Sequence, residues 1–169
     1  MNNKEQLIKC SEHVLSLAEE VYGELGSGFK EDTLQQALAI AFRTANIKYL
    51  RETHLEIFFR KESLGLFRLD FFLPAQKTKK WKLADPIIIE TKSAANLSND
   101  ARLQLKNYLI SLPRNYSKEL KNVKDGLLIN WKSKLDVNEI TKNTLGTEIE
   151  LWSLKSKKFS LIHSNLQDF

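Results

Sequence analysis

The sequence predicts a mixed α/β domain, and three observations carry that prediction. Apolar residues recur with helical period through two segments at the start of the chain. The period then drops to 2 through a run of short apolar and aromatic segments. One further helical segment lies between two strongly apolar strands, as a crossover between neighbouring strands requires.

Each element has its own signature. Leu7, Val14 and Val21 recur every seven residues, and Cys10, Leu17, Ala18 and Leu25 fill the same stripe, which predicts a helix over about 4–25. Gly26 offers a C-cap, and Gly26-Ser27-Gly28 reads as a turn. A second helix is predicted over about 30–46 from Leu34, Ala37, Leu38, Ile40, Ala41 and Ala45. Glu31 and Asp32 fall in its first turn, where the helix dipole favours carboxylates. Residues 54–59 and 64–73 read as strands, and the short polar connection Arg60-Lys61-Glu62-Ser63 makes them a hairpin. Residues 86–92 form a strand of β-branched residues. Ser98 or Asn99 caps a helix running to about Leu112, which Pro113 ends. A lysine-rich loop leads to a strand over 126–131. Two further strands, over 148–154 and 159–163, form a small terminal pair.

Composition bounds the function. The 169 residues are 42% hydrophobic and 28% charged, values of a soluble globular chain read as a single domain over 1–169. No apolar run approaches the roughly 20 residues of a membrane helix, and the polar N-terminus has no apolar signal region behind it. Cys10 is the one cysteine, which excludes an intrachain disulfide and a thiolate zinc site, and points to a cytoplasmic, intracellular setting. His13, His54 and His163 are scattered without ligand spacing. The net charge of +5 and pI near 9.2 lean towards nucleic acid. Lysine dominates the cations, which suits phosphate contact ahead of base reading.

The residues that need explaining are acids placed where a core should be apolar. Glu90 follows Ile87-Ile88-Ile89, and strand period 2 puts Glu90 and Lys92 on one face with Ile89 and Thr91 on the other. Asp70 lies within the apolar run Phe67-Arg68-Leu69-Asp70-Phe71-Phe72-Leu73. The pattern D…ExK follows. Two converging carboxylates repel, so a divalent cation is their natural neutraliser, and Mg²⁺ prefers oxygen ligands. A lysine beside such an ion can orient an attacking water, which suits attack on a phosphodiester. The plainer reading is an ion pair between Glu90 and Lys92, with Asp70 partnered by Arg68.

A wider set of segments resembles the GxxExxY family of PD-(D/E)XK nuclease-like proteins. It begins with Glu20-Val21-Tyr22-Gly23-Glu24-Leu25-Gly26-Ser27-Gly28-Phe29-Lys30-Glu31 and Gln36-Ala37-Leu38, and continues with Phe67-Arg68-Leu69-Asp70 and Ile89-Glu90-Thr91-Lys92. Gln104-Leu105-Lys106-Asn107-Tyr108-Leu109 and Gly126-Leu127-Leu128-Ile129-Asn130 complete it, in family order. The resemblance implies a restriction-endonuclease-like core, a central mixed sheet flanked by helices. It implies that Asp70, Glu90 and Glu31 hold Mg²⁺ (or Mn²⁺), that Lys92 assists the attacking water, and that Gln104 supports the site. The implied partner is nucleic acid, DNA ahead of RNA, and self-association as a homodimer stays open.

Two departures qualify the match. Leu34 stands where the family has its name-giving Tyr. The interval between Asp70 and Glu90 is longer than the family's hairpin and carries Lys77, Lys79, Lys80, Trp81 and Lys82. One reading makes this an extended loop beside the site, its lysines on a phosphate backbone and Trp81 stacked on a base. The other makes it a solvated basic turn with Trp81 folded onto the core. Cys10 is expected in the core, and Ser27 lacks the strand and the Gly-Lys-Ser/Thr ending of a phosphate loop. The expected function is therefore a metal-dependent nuclease; the alternative is a catalytically inactive nucleic-acid-binding or protein-interaction module on the same fold.

Overall fold

A computed structural model describes residues 3–133 and 146–166. In chain order the elements are α1 (Asn3–Leu25), α2 (Glu31–Thr44), β1 (Leu50–Arg51), β2 (His54–Phe59), β3 (Glu62–Arg68), β4 (Phe71–Leu73), β5 (Gln76–Lys77), β6 (Lys82–Leu83) and β7 (Ile87–Lys92). There follow α3 (Asn99–Ser111), a single 3₁₀ turn (Leu112–Arg114), α4 (Lys118–Lys121), β8 (Asp125–Trp131), β9 (Thr147–Lys155) and β10 (Lys158–Ser164). Ser98 caps α3, its side chain accepting from the Ala101 N–H, and the Leu112–Arg114 turn containing Pro113 closes the helix.

Six strands form one mixed sheet in the order β1-β4-β7-β8-β9-β10. The β7–β8 pair alone is parallel, and α3 makes the crossover between them. All other neighbours in the sheet are antiparallel. This is the mixed α/β architecture that the sequence predicts, a central sheet flanked by helices. The terminal strands are not a separate pair. They extend the sheet, because β9 runs beside the whole of β8, from Asp125↔Ser153 to Trp131↔Thr147.

The sheet separates two apolar layers. On one face the α1 stripe of Leu7, Cys10, Val14, Leu17, Ala18 and Val21, with Leu34, Leu38 and Phe42 of α2, packs on Phe71, Ile87, Ile89, Leu127 and Ile129. Cys10 is fully buried there. The Trp131 indole N–H donates to the Ala18 carbonyl at 3.0 Å, tying α1 to the sheet. On the other face Leu105, Tyr108 and Leu109 of α3 pack on Phe72, Ile88 and Leu128, joined by Leu55 and Leu69. Gly126 permits the close approach of α3: a Cβ there would come within 2.7 Å of Leu105 Cδ1.

The long apolar run over 64–73 does not form one strand. Its first part pairs with β2 in a separate two-stranded ribbon, and its last part, β4, joins the main sheet. The chain changes partners at Leu69-Asp70. There the Leu69 N–H donates to the Thr53 carbonyl at 2.8 Å, and the buried Leu69 side chain enters the α3-side core. The β2–β3 turn is also tighter than expected, only Arg60-Lys61, with both residues at positive φ (49° and 71°). Such a two-residue turn matches the twist of the flanking strands.

Candidate active site

The change of partner sheet puts Asp70 directly beside the end of β7. Phe71 pairs with Ile89, so Asp70 falls next to Glu90, and its backbone N–H donates to Glu90 Oε1 at 3.2 Å. Asp70 Oδ2 accepts from both the Thr91 N–H (2.8 Å) and the Thr91 hydroxyl (3.1 Å). Thr91 Oγ1 accepts in turn from Gln35 Nε2 of α2 at 2.7 Å. A relay of hydrogen bonds therefore runs from α2 through Thr91 to the Asp70 carboxylate. The face parity expected for the strand holds: Ile87 and Ile89 point into the α1/α2 layer, and Ile88 into the α3 layer.

The electrostatics of the cluster are unbalanced. Glu90 is buried at 2% exposure. Burial first, then the Asp70 charge, push its carboxyl up to about 8, against the opposing pull of the Asp70 N–H and Lys92. Glu31, at the start of α2, is also raised by burial, with Asp70 adding to the shift and Lys92 and the Ser93 N–H opposing it. Lys92 thus acts on both Glu31 and Glu90. Neither plain alternative for the acids is realised. Arg68 pairs with Glu52 at 3.4 Å instead of Asp70, and Lys92 is in none of the ion pairs among the described residues.

Gln104 reaches this cluster indirectly. Its Nε2 donates to the Tyr108 hydroxyl at 2.9 Å. Burial raises the Tyr108 hydroxyl pKa, the Gln104 bond opposes this, and Glu90 and Asp70 raise it further. Tyr108 therefore lies within the field of the two acids.

Glu31 does not close a cage with Asp70 and Glu90. Among the described residues no group of three or more His, Cys, Asp or Glu side chains is placed to hold a metal ion. The acids nevertheless fit a hard divalent cation of the Mg²⁺ kind, which keeps several waters and takes one or two carboxylates. The raised pKa of Glu90 shows that burial and Asp70 disfavour its charged form, which a cation beside it would restore.

The basic segment is not beside the site, which corrects the first reading of that loop. It leaves the sheet at the Leu73/Ile87 end, opposite the Asp70/Glu90 end, and folds into the β5–β6 hairpin. Lys77, Thr78, Lys79 and Lys80 line a cavity of about 690 Å³ with His13, Ala45 and Asn46. Ala45 is the C-cap of α2 and Glu31 its first residue, so about 21 Å of helix separates this cavity from the acids. Trp81 is folded onto the core at 2% exposure, its indole N–H donating to His13 Nδ1 at 3.1 Å. Its faces are closed to a stacking base. Lys82 is exposed at the start of β6, and its N–H donates to Gln6 Oε1 at 2.8 Å. The lysines also lie near the negative end of the α2 dipole, a structural reason for their charge.

Sequence reasoning passed over Gln35 and Thr91. Gln36, inside the quoted Gln36-Ala37-Leu38 segment, faces outward and bonds Asp32 at 2.7 Å, while its neighbour Gln35 enters the site. Position 34 is also settled in part: Leu34 is buried in the core beneath α2.

The fold and the acid–lysine cluster at the end of β7 define a nuclease-like class of protein. The model of the PD-(D/E)XK nuclease superfamily matches residues 8–142, and the chain belongs to that superfamily. Its members generally have nuclease activity and typically use divalent metals. No curated protein and no solved structure matches the chain. Among the described residues no helix is long and apolar enough to cross a membrane.

Proposed function

We propose that this protein is a Mg²⁺-dependent nuclease acting on DNA, of the GxxExxY kind within its superfamily. The observation that carries the reading is the meeting of Asp70 and Glu90 across β4 and β7, where burial and Asp70 disfavour the charged Glu90 carboxylate unless a cation joins it. A divalent ion bound there supplies charge neutralisation and acidifies an attacking water. Asp70 and Glu90 would hold the ion. Thr91 and Gln35 hold Asp70 in place. Glu31 contributes a further negative group at the edge of the cluster, and Lys92 orients the water and stabilises charge that develops on the phosphate. Gln104 acts through Tyr108. The lysines at 77, 79, 80 and 82 contact backbone phosphates remote from the scissile bond; Trp81 takes no part. The buried thiol of Cys10 accords with a reducing, cytoplasmic setting.

A binding-only module is the second reading, and one observation favours it: no three-carboxylate set is placed to hold an ion among the described residues. Labelled single- and double-stranded DNA and RNA, incubated with Mg²⁺, Mn²⁺ or EDTA, separate the two. Metal-dependent cleavage of DNA by the wild type, lost in Asp70→Asn and Lys92→Ala, is the expected result. No cleavage of any substrate, with nucleic-acid binding intact in both variants, would leave the binding module.

A further inference from the structure

The ribbon of β2 and β3 stands apart from the main sheet and leans over α3. Between them lies a cavity of about 340 Å³. Ile57 and Phe67 form its ribbon wall. Asp100, Leu103, Gln104 and Asn107 form its helix wall, spaced i, i+3, i+4 and i+7 on one side of α3.

Three features constrain what this cavity holds. First, it lies on the same side of the sheet as the residues next to the acids, because Tyr108, which lines it and bonds Gln104, packs in one layer with Leu69 and Ile88. Second, its apolar walls are open to solvent: Phe67 is 42% and Leu103 52% exposed. Third, no lysine or arginine lines it, while Asp100 does. A phosphate would meet a carboxylate and no cation. A flat, uncharged group with a donor–acceptor edge meets an aromatic face, an aliphatic face, two amides and a carboxylate acceptor. A nucleobase is such a group, and a cavity near 300 Å³ is at the small end of ligand sites.

We propose that the cavity between the β2–β3 ribbon and α3 receives one unpaired nucleobase, adjacent to the phosphate held at Asp70 and Glu90. Phe67 and Leu103 sandwich the base, and Gln104 and Asn107 bond its edge. A base inside a duplex cannot enter, so the substrate is a single strand, or a strand with an unpaired nucleotide beside the scissile bond. This placement relative to a phosphate rests on the nuclease reading; the binding of a base does not.

The test measures binding in EDTA, apart from cleavage. Short single strands carry 2-aminopurine at each position in turn, beside the blunt duplex of the same sequence. The expected result is fluorescence quenching at one position, and tighter binding of single strand than duplex. Phe67→Ala then weakens single-strand binding by roughly tenfold and removes the quenching, with duplex binding unchanged. Phe67→Tyr restores both, which guards against a folding defect. Leu103→Glu, on the exposed side of α3, repeats the loss. Equal binding of single strand and duplex, untouched by either variant, overturns the proposal, as does concentration-dependent self-association abolished by Leu103→Glu with no effect on nucleotides. Cleavage in Mg²⁺ is scored separately. Quenching without cleavage refutes the nuclease reading alone, and cleavage indifferent to Phe67 and Leu103 refutes the base site alone.

Discussion

Thr91 holds Asp70 by two hydrogen bonds to one carboxylate oxygen, from its backbone N–H at 2.8 Å and its hydroxyl at 3.1 Å. The hydroxyl can donate because Gln35 Nε2 satisfies its acceptor side at 2.7 Å. The residue between the two functional positions of Glu90-Thr91-Lys92 is therefore itself part of the machinery. Thr91→Val keeps the shape and the backbone bond but removes the hydroxyl. It leaves the buried Gln35 amide nitrogen with only its long bond to Glu31 Oε1 at 3.4 Å, a loss of about 1 kcal/mol in stability. Cleavage falls with it, because Asp70 loses one of its two restraints. Thr91→Ser, which keeps the hydroxyl, retains most of both. Denaturant midpoints and cleavage rates on the two variants check this, and equal behaviour of Val and Ser would remove Thr91 from the site.

The acids make stability depend on pH with a definite sign. Glu90 has a folded pKa near 8 against an ordinary value of 4.5, so between those values the folded protein holds a proton that the unfolded chain has lost. Stability of the metal-free protein then falls as pH rises through this window, by up to about 1.4 kcal/mol per pH unit for one group. Glu31 and Asp125, also raised by burial, act in the same direction. Glu90→Gln isolates the Glu90 share: its unfolding midpoint in EDTA falls less between pH 5 and pH 8 than that of the wild type. Adding Mg²⁺ raises the wild-type midpoint more at pH 8 than at pH 5, since the ion competes with the proton. Identical pH profiles for wild type and Glu90→Gln would falsify the charge assignment.

How much of this was legible in the sequence depends on the distance over which each feature is decided. The stripe of Leu7, Val14 and Val21 sets the buried face of α1 locally, and the β-branched run before Glu90 sets β7, with its face parity, in the same way. The D…ExK spacing was enough to bring Asp70 and Glu90 together. The break at Leu69-Asp70 was not legible, because a continuous apolar run does not reveal that its halves choose different partner strands. Trp81 lies on the core, as one of the two readings of its loop had it, but its partner His13, 68 positions away in sequence, was not legible. Gln35 and Gln36 differ only in which side of α2 meets Thr91. Glu148 and Glu150 read as part of a small terminal strand pair, yet both are buried, because β9 lies inside the sheet.

The basic cavity at the far end of α2 gives a prediction about binding, separate from chemistry. If Lys79 and Lys80 meet backbone phosphates, the double variant Lys79→Ala/Lys80→Ala weakens DNA binding equally for every sequence. The slope of log affinity against log salt drops by up to about 0.9 for each lost contact on duplex. Cleavage at saturating substrate stays close to wild type, because about 21 Å of helix lies between these lysines and Glu31. Titrations at several salt concentrations measure the slope. An unchanged slope would assign the lysines to the α2 dipole alone.

Arg102 and Glu150 form the closest ion pair among the described residues, on the sheet face that carries Glu90. The guanidinium of α3 meets the fully buried carboxylate of β9 at 2.6, 2.9 and 3.2 Å, and the Trp152 indole N–H adds a bond at 2.7 Å. Across the sheet, Leu128 pairs with Glu150 on one side and Glu90 on the other, so the pair sits two strands from the acids. Beside it Glu148 accepts from the Leu97 N–H at 2.8 Å and from Asn130 at 2.9 Å, fixing the chain that follows Lys92. Arg102→Leu strands a buried carboxylate and lowers stability by about 3–5 kcal/mol. Arg102→Leu with Glu150→Leu removes the charge as well and recovers part of that loss, although the Trp152 N–H is left without its acceptor. Urea unfolding of wild type, single and double variants measures both steps. A double variant less stable than Arg102→Leu would mean that the pair's worth lies in its packing, not in its charge.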